Sequence, residues 1–239
     1  MRPLLNHFAQ SFYADFLLFF ISIFALYISI VRKEKHSLLR LFPYYFISYI
    51  ILLLLLYTHI IFFLNSRSNH IMLQIDSYSD YIFTLIEFIV FMHFFYNVID
   101  NQRKKRIIIL LSMLFLLLFA FNFISESILY NNINPNTVNR IYTIESSILL
   151  IPSLFYYFEI FKKPTTMNLM RESSFWVVTG IFFSMICSLP YCVIENYIRK
   201  NNSQLYPQLF SIFYIFYSLL FMMIIKAYLC EKISLKINV

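Results

Sequence analysis

Hydrophobic and polar positions in this chain fall into long apolar blocks separated by short polar connections. Blocks of roughly 17–25 residues match the length a helix needs to cross a hydrocarbon layer of about 30 Å. They lie near residues 12–31, 41–64, 78–99, 106–125, 138–161, 175–196 and 205–229. The connections leave no room for a soluble domain. The pattern predicts one all-α domain over residues 1–239, an integral membrane seven-helix bundle. The first block, FYADFLLFFISIFALYISIV, lacks a small-residue cleavage site and is expected to be a retained helix. Pro43 opens the second block, whereas Pro152 and Pro190 fall inside the fifth and sixth and predict kinks there.

Composition narrows the class. Hydrophobic residues make up 60% of the chain, charged residues 13%, and the mean hydropathy is +0.70, too apolar to hide in one water-soluble core. The formal charge of +7 does not point to nucleic acid, because the basic residues flank the apolar blocks. Most of the 19 Lys and Arg lie in the first, third and fifth connections and at the C-terminal end, among them Arg32, Lys33, Arg40, Arg103, Lys104, Lys105, Lys162 and Lys163. The positive-inside bias then places the N-terminus outside and the C-terminus in the cytoplasm. The bilayer is an obligatory partner. Cys187, Cys192 and Cys230 show no paired or metal-site spacing and are expected as free thiols.

One glycine, Gly180, removes whole enzyme classes. It cannot build a Gly-rich phosphate loop, a G-x-S-x-G elbow or a glycine-flanked membrane aspartate. No His/Glu pair has metal-ligand spacing, and Lys226 lies at the cytoplasmic edge of the seventh block, where it would snorkel. Neither a metal nor another cofactor is expected.

The candidate chemistry lies in two acids. The stretch SDYIFTLIEFIVFMHFFYNVIDNQRKKR places Glu87 and His93 inside an otherwise apolar run, and RIYTIESSILLIPSLFYYFEIFKK places Glu145 similarly. Glu87 precedes Arg103 by 16 residues and Glu145 precedes Lys162 by 17. At a helical rise of about 1.5 Å, both carboxyls lie about 25 Å from the basic boundary. An unpaired charge at such depth is costly, so each needs a partner, a proton or a function. Tyr81, Thr84 and Glu87 share one helix face, as do Tyr142 and Glu145, so Thr84 or Tyr142 is expected to donate to the neighbouring carboxyl. Arg140 is the candidate counter-ion for Glu145, Glu126 or Asp80. Asp15, His59, Asn122 and Glu195 add to a polar outer half, while the cytoplasmic half has His93, Asn97, Glu159 and Lys226. The expected ligand-binding or coupling set is Glu87, Glu145, Tyr81, Thr84, Tyr142, Arg140 and Asp80. Arg103, Lys104 and Lys105 form the expected partner-binding set.

Three segments, YIFTLIEFIVFMHFFY, IESSILLIPSLFYYFEIFKKP and SSFWVVTGIFF, together resemble an uncharacterised group of small bacterial seven-helix membrane proteins. Glu87, Glu145, Ser146, Glu159, Lys163, Pro164, Phe175, Trp176 and Gly180 are the matching positions. The resemblance implies the seven-helix fold, a bacterial inner-membrane location and a role for the two glutamates, and supplies no reaction.

Three functions fit these observations. One is a receptor or sensor whose outward pocket binds a small molecule or proton and which signals to a cytoplasmic or membrane partner through short basic loops. Another is a small transporter or proton-coupled permease using the paired glutamates. The third is a membrane-embedded lipid enzyme with two carboxyls as acid and base. Few polar groups in the cytoplasmic half and no nucleophile or metal set favour the first.

Overall fold

The computed structural model describes residues 2–32, 37–65, 69–126, 135–162, 169–201 and 206–230. Among them are seven α-helices: α1 Arg2–Val31, α2 Phe42–Asn65, α3 Asn69–Val98, α4 Gln102–Ile124, α5 Pro135–Lys162, α6 Ser173–Asn201 and α7 Tyr206–Leu229. Four helical stretches are long and apolar enough to cross a membrane: Ser77–Val98, Gln102–Ile124, Thr137–Lys162 and Ser173–Ile194. Shorter apolar stretches cover Phe16–Val31, Phe42–Leu55 and Tyr214–Leu229. The chain's regular structure among the described residues is helical throughout, and these apolar helices mark a multi-pass membrane protein.

Several helices outrun their apolar blocks. α3 begins at Asn69, well before the apolar run near residue 78, because backbone hydrogen bonding continues where side chains turn polar. α4 starts where Asn101 accepts from the backbone N–H of Arg103 at 2.9 Å, an N-cap that fixes the first turn. α5 and α6 run continuously through Pro152, which is buried, and Pro190, which is exposed. Several hydroxyls inside the helices donate to carbonyls one turn back, as Ser22 does to Phe19 and Ser153 to Leu149, and so are satisfied in an apolar setting.

Helix neighbours define a ring. α1 packs on α2 and α7, α2 on α3, α3 on α5, α5 on α6, and α6 on α7, while α4 lies outside against α3 and α5. Ile108 and Phe115 are the buried residues of α4, whereas Leu117 and Phe121 are about 70% exposed. That is the distribution expected of a helix facing lipid. The largest buried side chains are aromatic, because a chain rich in Phe and Tyr with a single glycine fills much of its interior with rings. The exception is Gly180 on α6, where an added Cβ would stand 3.0 Å from Met223 Cβ and 3.1 Å from Leu220 Cδ1. The glycine lets α6 and α7 approach closely.

The end carrying the basic connections is tied together. Tyr228 donates to the Leu39 carbonyl at 2.6 Å and Arg32 Nη1 to the Tyr228 carbonyl at 3.5 Å. Trp176 Nε1 donates to Met170 O at 2.9 Å, and Lys226 Nζ lies 5.9 Å from the Trp176 ring centroid. Cys187, Cys192 and Cys230 are free thiols.

Candidate functional site

Glu87 and Glu145 are both fully buried. Helical periodicity explains this for Glu87: Thr84, Glu87, Phe88, Phe91 and Phe95 form the inner face of α3, while Ile82, Ile89, His93 and Tyr96 point away. On α5, Tyr142, Glu145, Leu149 and Tyr156 face inward, opposite an exposed stripe of Arg140, Ser147, Leu154 and Phe158.

Polar contacts converge from across the ring. Tyr217 on α7 donates to Glu87 Oε2 at 2.9 Å, and Tyr45 on α2 reaches Glu87 Oε1 at 3.4 Å. The Tyr217 and Tyr142 hydroxyls lie 2.8 Å apart, linking α7 to α5. Glu145 is close enough to interact electrostatically with Glu87. Both Glu145 oxygens and the buried hydroxyls of Ser146 and Ser184 lack a hydrogen-bond partner among the described residues. α2, α3, α5 and α7 thus meet in one polar cluster.

A cavity of about 180 Å³ adjoins it. Tyr142 and Tyr217 line the cavity, together with Tyr49, Thr84, Asp80 and Cys192. Its lining comes from the first halves of α5 and α7, the middle of α2 and α3 and the second half of α6, so it lies from mid-bundle toward the end opposite the basic connections. On the other side of Glu87 the interior is aromatic. Phe91 lies 5.3 Å from the Tyr45 ring and 6.1 Å from Phe42, Phe42 lies 5.7 Å from Phe94, and Phe221 lies 5.3 Å from Phe46.

Several expected partners lie elsewhere. Thr84 donates to the Asp80 backbone carbonyl at 2.9 Å and not to Glu87, since a hydroxyl inside a helix reaches its own backbone most readily, and it lines the cavity. Tyr142 pairs with Tyr217 and not with Glu145. Tyr81 turns toward α4, donating to Phe119 O at 2.6 Å with ring centroids 4.2 Å apart. Arg140 does not neutralise Glu145, because five residues of helix carry it round to the exposed stripe. Asp80 is exposed at the cavity rim, and Glu126 accepts from Thr137 at 2.8 Å. Asn122 donates to the Leu118 carbonyl. The side chains of Asp15, His59 and Glu195, and the residues Lys33, Lys163 and Pro164, lie outside the described residues.

Of the three expected docking residues, two bind their own chain. Lys104 pairs with Glu159 at 3.0 Å, donates to Phe155 O at 3.1 Å and lies over the Phe155 ring, fastening α4 to α5. Lys105 lies 5.1 Å from the Tyr96 ring centroid. Arg103 is exposed.

Tyr45 and Tyr217 escaped the sequence reading, since neither stands out among 19 tyrosines. The usable signal was the stripe Tyr214, Tyr217, Phe221, Ile224 and Tyr228, which marks the buried face of α7. The chain matches no family model, curated protein or solved structure. The resemblance noted above therefore rests on its quoted residues.

Proposed function

We propose that this chain is a receptor-like membrane sensor, with the cavity opening outward and its ends on the basic side meeting a signalling partner. The reading takes the N-terminus as external and the C-terminus as cytoplasmic, following the positive charges. The observation that carries it is the Tyr142–Tyr217–Glu87 chain of hydroxyls and carboxyl beneath the cavity. A small solute or proton arriving in the cavity alters the partners of Tyr142 and Tyr217, and through them the bonds that join α5, α7 and α3. A ligand changes a conformational equilibrium only through such differential contacts. A cavity of about 180 Å³ suits a molecule smaller than most drug-sized ligands. Between α2 and α3 the rings of Phe42, Tyr45 and Phe91 fill the basic side of Glu87, which favours sensing over permeation through that carboxyl.

Native mass spectrometry of the protein gently extracted from its host membrane tests this reading. A stoichiometric protein partner is expected. A partnerless protein carrying a small solute would contradict it and support transport. The permease reading has one observation of its own: Glu145, buried without a hydrogen-bond partner among the described residues, offers a position for a coupling proton. Proton flux in proteoliposomes, abolished by Glu145→Gln, would establish that alternative.

A further inference from the structure

We infer that the groove between the start of α2 and the end of α3 binds the headgroup of an anionic phospholipid. This site is separate from the buried acids and lies at the basic end of the bundle. The groove measures about 550 Å³ and is lined by Leu38, Arg40, Leu41, Tyr44, His93 and Asn97. Its lining holds a guanidinium, an imidazole, an amide and a phenol and no carboxylate, a composition that suits a phosphodiester. Arg40 is exposed and makes no ion pair or hydrogen bond among the described residues. His93 and Asn97 stand one turn apart on the outer face of α3, and Asn97 Nδ2 donates to the His93 carbonyl at 2.8 Å.

Position selects a lipid over a soluble anion or an acidic peptide. His93 lies five residues, about 7 Å, inside the end of α3 at Val98, a depth suited to headgroups. The same outward faces continue into exposed isoleucines, Ile47 and Ile51 on α2 and Ile89 on α3. The groove therefore opens sideways toward the bilayer, and the isoleucines form an apolar track for acyl chains below the headgroup.

The test is native mass spectrometry of the full-length, delipidated protein in detergent, titrated with phosphatidylglycerol or phosphatidylcholine. Phosphatidylglycerol is expected to bind more tightly at one site. Arg40→Gln should weaken it about five-fold or more, Arg40→Lys less, and Lys162→Gln, whose residue is exposed on α5, by under about two-fold. Should Arg40→Gln fail to fold, the double variant His93→Phe, Asn97→Leu is read in the same way. Equal affinity for the two lipids, an unchanged affinity in a folded groove variant, or full competition by millimolar inorganic phosphate would overturn the assignment.

Discussion

Tyr217 on α7 donates a 2.9 Å hydrogen bond to Glu87 on α3, joining helices on different sides of the ring through its interior. The same hydroxyl lies 2.8 Å from that of Tyr142 on α5. Replacing Tyr217 with Phe removes both contacts while preserving the ring. We expect a loss of about 1–3 kcal/mol, because the buried Glu87 oxygen loses its shorter donor. Thermal unfolding in detergent measures this, and a melting temperature matching wild type would show that Tyr217 does not hold Glu87.

Glu145 differs from Glu87 in having no hydrogen-bond partner among the described residues. A carboxyl kept for packing would normally be satisfied. Glu145→Met, which removes a buried polar group at similar volume, is expected to leave the melting temperature equal to or above wild type, with response to stimulus abolished. A large destabilisation would assign Glu145 a structural role.

Lys104 and Glu159 form a partly exposed ion pair between α4 and α5, with side-chain exposures of 22% and 17%. A double-mutant cycle with Lys104→Met and Glu159→Gln should give a coupling energy of about 1 kcal/mol or less, reduced by salt. Zero coupling at low salt would mean that the Phe155 contacts alone hold Lys104 in place.

Gly180→Val should be among the most damaging single changes outside the polar cluster. Its Cβ would meet Met223 Cβ at 3.0 Å and its branches have less space still, so a cost of about 1–3 kcal/mol is expected. Unfolding midpoints against Gly180→Ala, which requires a smaller adjustment, check the steric origin.

The helical architecture was legible because lipid and the protein interior both favour apolar residues, so the blocks stand out whatever they pack against. For the same reason the blocks do not reveal which helices are neighbours. The position of α4 outside the ring had a sign, since Gln102–Ile124 is the most apolar of the four candidate spans, but nothing in the sequence places Tyr217 beside Glu87 across 130 positions. Equal spacing from the basic boundary put Glu87 and Glu145 at one depth, and their interaction then depends on α3 packing on α5. Arg140 shows the limit of depth alone. It lies near Glu145 in sequence but on the opposite face of α5, and the five-residue separation was the sign available.

The most direct measurement is the side from which the cavity can be reached. On a background with Cys187, Cys192 and Cys230 replaced by Ser, single cysteines at Asn139, which lines the cavity, and Arg103, exposed at the basic end, are challenged with a membrane-impermeant thiol reagent in intact cells. Labelling of Asn139→Cys from outside, with Arg103→Cys protected until the membrane is permeabilised, is the expected result. Labelling of Arg103→Cys from outside, with Asn139→Cys protected, would contradict an outward-facing sensor.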